Sequence, residues 1–232
     1  MEIFKRFIPQ IIVLSVVCLI ASFGYVKSGV INANSTPINT KTIILDAGHG
    51  GFDGGATAAD GTIEKDINLL IAQKMCSFLR FNGYEVIMTR DSDTGTEDDE
   101  SLSIQKRKKS DLSNRLRLMK DNKNAIFVSV HLNKFTTSAA SGAQVFYTKN
   151  YDEAYTLANC VQSSIKSMIQ PENARVVKQG TSSTYLLKNA QVPAIIVECG
   201  FLSNKQELEK LKDEQYQSQM AFAIVSGIMD FY

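Results

Sequence analysis

From Thr42 onward, short apolar runs alternate with stretches of helical period, and this alternation limits the fold more than any other feature of the chain. Residues 42–45, 85–89, 125–130, 144–147, 184–187 and 194–197 read as strands. Residues 64–82, 112–121, 152–168, 205–211 and 214–229 read as helices. In the first helix Ile67, Leu70, Ile71, Met75, Phe78 and Leu79 share one face, and Gly83 stops it. Strands separated by helices build βαβ units. The expected fold is therefore α/β: a single domain with a mixed, mostly parallel sheet and helices on both faces.

The first 26 residues form a separate device. Lys5 and Arg6 precede the uncharged run 8–26, which as a helix reaches about 28 Å, close to the hydrocarbon thickness of a bilayer. The basic flank leaves the N-terminus in the cytoplasm and sends the rest outside. The expectation is export, with 1–26 either a membrane anchor touching lipid through residues 8–26 or a cleaved signal peptide. Neither Ser28 nor Ala33 sits in a good A-x-A cleavage pattern. Residues 27–40, with Gly29 and Pro37, are a polar tether, and 41–232 is the folded body. That body carries no net charge once Glu2, Lys5 and Arg6 are set aside, so nucleic acid is excluded as a partner. Beyond Cys18 only Cys76, Cys160 and Cys199 remain, an odd number with no C-x-x-C spacing, which excludes a disulfide scaffold and a zinc knuckle.

One segment breaks the alternation. Residues 91–110 run from Asp91, Asp93, Glu97, Asp98, Asp99 and Glu100 to Lys106, Arg107, Lys108 and Lys109. Such density reads as a solvated loop, with a lid or docking loop as the alternative.

The chain has two histidines, and both follow an apolar strand: His49 after 43–48 and His131 after 127–130. Ligands of open α/β sheets bind outside the carboxyl ends of the strands, so the two imidazoles belong to one crevice. Glu64 opens the first helix, where the Gly-rich loop carrying His49 can fold it back to the same strand end. Glu198 ends the apolar run 194–197. Two imidazoles and a carboxylate are a ligand set for a hydrolytic zinc ion, and a second carboxylate can serve as general base. No H-E-x-x-H motif supports this, so three rivals stay open. The loop 48–55 could cradle a phosphate, although it lacks a G-K-[ST] ending. Cys199 could be a thiol nucleophile. The histidines could be structural in an exported binding or scaffold protein.

Five blocks in order resemble the zinc-dependent N-acetylmuramoyl-L-alanine amidases: Asp46-Ala47-Gly48-His49-Gly50-Gly51-x-Asp53, Glu64-Lys65 with Asn68, Thr89-Arg90, Ser129-Val130-His131-Leu132-Asn133, and Pro193-Ala194 through Val197-Glu198 to Asn204. The resemblance covers 41–232. It implies an enzyme that cuts the amide between the lactyl group of N-acetylmuramic acid and L-alanine of the peptidoglycan stem peptide. By position, His49, Glu64 and His131 are implied as ligands of one zinc, Glu198 as the catalytic carboxylate and Asn133 as a substrate contact. The single body behind an apolar segment, without wall-binding repeats, is most similar to the CwlD-type spore-cortex subgroup, which serves muramic-δ-lactam formation and germination. Some members act only with an activator protein bound, which makes an activator a candidate partner here. Gly54 stands where many relatives have Pro.

Overall fold

The computed structural model describes residues 41–181 and 184–232. The expected anchor or signal segment and the tether lie outside the described residues, and among those described no helix is long and apolar enough to cross a membrane. In chain order the elements are β1 (Thr42–Ala47), α1 (Glu64–Phe81), β2 (Glu85–Met88), α2 (Ile104–Asp121), β3 (Ile126–Asn133), β4 (Gln144–Tyr147), α3 (Asp152–Met168), β5 (Lys178–Gln179), α4 (Tyr185–Lys188), β6 (Ala194–Phe201), α5 (Lys205–Lys212) and α6 (Glu214–Phe231).

Six strands form one sheet in the order β2-β1-β3-β6-β4-β5. All neighbours are parallel except β4 and β6, which run antiparallel. The expected mixed, mostly parallel sheet is therefore found. Alternation along the strands sorts the core. Ile43, Leu45, Val128, Val130, Ile195 and Val197 face α1, α3, α5 and α6. Ile44, Phe127, Ala194 and Ile196 face Met119 of α2 and the leucine pair of α4. The buried stripe of α1, Ile67, Ile71, Met75 and Leu79, has helical spacing. Gly83 adopts the left-handed φ of 84° just past the helix end.

Three expectations are corrected. The strand expected at 184–187 is the helical turn α4, closed by the Lys188 amide donating to the Thr184 carbonyl. A two-leucine run is too short for periodicity to tell helix from strand. The charged stretch 91–110 is not a solvated loop throughout, because α2 starts at Ile104. Its acidic half is tied to that helix: Arg107 pairs with Glu97, Ser110 donates to Asp98, and the Thr96 hydroxyl donates to Asp111. Third, β3 and β6 continue past the expected ends, so His131 and Glu198 lie within strands. The two-residue strand β5 carried no signal in the sequence.

Candidate metal centre

The site stands where β1, β3 and β6 end, and each group arrives by a different backbone device. β1 runs into a turn closed by Gly50 and Asp53, each amide donating to the other's carbonyl at 2.9 and 3.0 Å. His49 enters this turn at φ 63°, a left-handed conformation that costs a non-glycine residue energy. It is held there by Arg115, whose Nη2 donates to the His49 carbonyl at 2.9 Å. Gly48 has no alternative at its position, since a Cβ would lie 2.3 Å from the His131 ring. Glu64 is the first residue of α1, and its carboxylate caps loops as well as facing histidines. Oε2 accepts from the Ala56 amide at 2.8 Å, and Oε1 accepts from the Leu132 amide at 3.1 Å.

The three groups meet. Glu64 Oε1 lies 3.0 Å from His131 Nδ1 and 3.3 Å from His49 Nε2, and the imidazole centroids are 4.9 Å apart. One ligand atom from each of the three residues falls within 4.8 Å of the others. Nitrogen, nitrogen and carboxylate oxygen at this spacing suit a zinc-sized ion with an open position. His49 Nδ1 lies 2.9 Å from Asp53 Oδ2, the outer carboxylate that typically orients a ligating imidazole. Burial works against charge on His49, but the hydrogen bonds to Asp53 and Glu64 outweigh it and raise its pKa to about 9. At Glu64 burial is likewise outweighed, and the two imidazoles hold its carboxyl well below the usual range.

Glu198 lies beside them on β6, in register with His131 on β3 and with Gln144 on β4. Its Oε2 is buried without a hydrogen-bond partner. Burial pushes its pKa up to about 7; His131 and His49 oppose the rise and the Glu64 charge adds to it. A carboxylate oxygen buried without a partner is costly to stability. Asn133 ends β3 beyond a register irregularity, and its carbonyl accepts from the Leu202 amide at 2.8 Å.

Several supporting residues had no role in the sequence reading. Asp46, fully buried, accepts from Ser129 at 2.6 Å and from Thr89 at 2.7 Å, and forms an ion pair with Arg115 of α2. Arg90 donates to the carbonyls of Ala47, Gly48, Lys65 and Ser92. The one available signal was a charge inside an apolar run, as at Asp46. Two rival readings lose their basis. Cys199 is fully buried on the opposite face and burial pushes its thiol well above the ordinary range. Most of the Gly-rich loop's glycine amides are already engaged: Gly48 donates to Val130, Gly50 to Asp53, Gly51 to Asp93 and Gly55 to Asp53.

A sequence model described as N-acetylmuramoyl-L-alanine amidase matches residues 43–230. The germination-specific N-acetylmuramoyl-L-alanine amidase of Bacillus subtilis (strain 168) is 35% identical over 198 residues, 85% of this chain and 82% of that one. The amidase LytC of the same organism is 29% identical over 92% of this chain but only 40% of its own. Among solved structures, the CwlD amidase from Clostridioides difficile in complex with the GerS lipoprotein superposes with a TM-score of 0.79 at 41% identity, covering 83% of this chain and 98% of that one.

Proposed function

The chain belongs to the N-acetylmuramoyl-L-alanine amidase (Amidase_3) family, and from that premise we propose a zinc-dependent amidase that acts on peptidoglycan outside the cytoplasm, at the spore cortex. The bond cut joins the lactyl group of N-acetylmuramic acid to L-alanine, in the course of muramic-δ-lactam formation. Similarity to the germination-specific enzyme supports the cortex assignment. The GerS lipoprotein in complex with the similar CwlD amidase supports an activator of that kind as partner. Residues 1–26 are proposed as the export segment, 27–40 as the tether and 41–232 as the catalytic domain.

The reading is carried by one observation: a single carboxylate oxygen of Glu64 faces both imidazoles, beside Glu198, whose Oε2 is buried without a partner. His49, Glu64 and His131 are the residues that would hold the metal. A zinc ion, when bound, supplies a Lewis acid that polarises the scissile carbonyl and makes water more acidic. Asp53 fixes His49 so that Nε2 points to Glu64. Glu198 accepts a proton from the attacking water and delivers it to the departing amine of L-alanine. Asn133, at the mouth, holds the substrate. The competing reading is a catalytically silent scaffold of the same fold. Metal analysis of the full-length protein beside an assay on purified sacculi separates them. One zinc per chain and newly released stem peptides are expected. Metal-free protein that releases no stem peptide even with zinc and partner added would establish the scaffold.

A further inference from the structure

One cation at the site has incomplete bonding. Lys108, on the first turns of α2, lines a cavity of about 110 Å³ together with His49, His131, Leu112 and Leu186. Its Nζ lies 3.3 Å from Asp53 Oδ1, and its side chain is 53% exposed. Among the described residues Lys108 makes no other ion pair and no hydrogen bond. The neighbouring cation Arg115 is committed to Asp46, Asp111 and the carbonyls of Ala47 and His49. Asp53 does not depend on Lys108, because its Oδ2 faces His49 Nδ1 and its Oδ1 accepts from the Gly55 amide. An ion pair this exposed contributes little, so the ammonium is available to a second anion at small cost.

Reach decides which anion. From Lys108 Nζ to the His49 ring is two contacts, 3.3 Å to Asp53 and 2.9 Å onward. An extended peptide advances about 3.3–3.6 Å per residue. A substrate whose scissile carbonyl sits at the His49–Glu64–His131 group has its next one or two residues within reach of Lys108 when its peptide side, the side of the scissile amide that carries carboxylates, runs toward α2, and a cation there favours that direction. We infer that Lys108 is a specificity residue that binds a carboxylate of the stem peptide just beyond the L-alanine. Leu112 and Leu186 give that segment its apolar wall. The inference rests on the amidase reading and deepens it.

The test compares N-acetylmuramoyl-L-alanyl-D-glutamate with the same compound amidated at both glutamate carboxyls. Binding to the full-length protein is measured by calorimetry without metal, and hydrolysis is measured with zinc. Wild type should favour the free acid up to about fivefold, the upper scale of an exposed ion pair. Lys108→Met should remove the preference through binding and KM, with zinc content unchanged, and Lys108→Arg should restore part of it. Equal handling of acid and amide by wild type, or a preference that survives in Lys108→Met, overturns the inference. So does loss of zinc in Lys108→Met, which would make Lys108 only a support for Asp53 and His49. Wild type that binds the acid selectively but, even with zinc and an activator added, hydrolyses neither compound and releases no stem peptide from sacculi would leave the inference standing and sink the amidase reading.

Discussion

Glu64 is buried and Glu198 half-buried, both within reach of the same histidines, yet their surroundings drive them apart. Glu64 accepts two backbone amides and faces two imidazoles, which overcome its burial and keep it ionised. Glu198 has an unpaired oxygen and a pKa raised to about 7. Two like groups pushed in opposite directions support the proposed division into ligand and base. Glu198→Gln should keep zinc and substrate binding while turnover falls about 10²–10⁴-fold, roughly 3–5 kcal/mol of barrier. Loss of zinc from that variant, read by metal analysis, would instead make Glu198 a ligand. His49 carries a proton that a metal must displace, because its partners raise its pKa to about 9. Zinc affinity should therefore rise from pH 6 toward pH 9 and then level, and competition titrations across that range check it. A flat profile would mean that His49 is already neutral. The four central residues were legible because each follows an apolar run or opens a helix. Arg115 was not, since one sequence gives no sign that a mid-helix arginine is buried against an aspartate.

At the scale of elements, α2 does more than cover the sheet. Arg115 links it to Asp46 of β1 and to the carbonyl of His49. Replacing Arg115 by Met should cost about 3–5 kcal/mol, because Asp46 would keep a buried charge without its partner. Burial opposes ionisation of Asp46, but Arg115, Ser129 and Thr89 lower its pKa below the ordinary carboxylate value. The contribution is thus present above about pH 4 and disappears as pH falls through the folded pKa. Urea melts at pH 7 and at successively lower pH should show a deficit that is full at pH 7 and begins to shrink only below about pH 4; a deficit that already shrinks well above pH 4 would refute the ion-pair account. The end of β1 makes a second test. Gly48→Ala puts a methyl group 2.3 Å from the His131 ring, so it should weaken zinc binding at least tenfold while circular dichroism stays native. Unchanged metal affinity would show that the ring can move freely. Strands with several apolar residues and helices with a clear stripe were legible, and 152–168 matches α3 to the residue. The start of α2 was hidden because its first turns, from Ile104 through Lys109, carry five charged or amide side chains and almost no apolar period. Short elements such as α4 and β5 are set by their neighbours rather than by their own sequence.

On the scale of the whole molecule, a metal held as proposed by His49, Glu64 and His131 would join the β1–α1 loop to β3 and should therefore stabilise the native state alone. Zinc at 100 times its Kd should add about 2.7 kcal/mol, seen as a rise in Tm, and Glu64→Ala should abolish the rise. A shift that persists in Glu64→Ala would place the metal elsewhere. The sheet order β2-β1-β3-β6-β4-β5 puts three strands from distant parts of the chain side by side, with His131 and Glu198 in the C-terminal halves of β3 and β6, His49 on the loop leaving β1 and Glu64 at the start of α1. No fragment lacking β6 contains Glu198, and no chain in which β1, β3 and β6 are still unpaired can gather the four groups. Pairings so remote in sequence form late, with the closing of the sheet. An unfolded chain consequently holds no assembled site, and the four groups come together in the same cooperative event that makes the chain resistant to proteases.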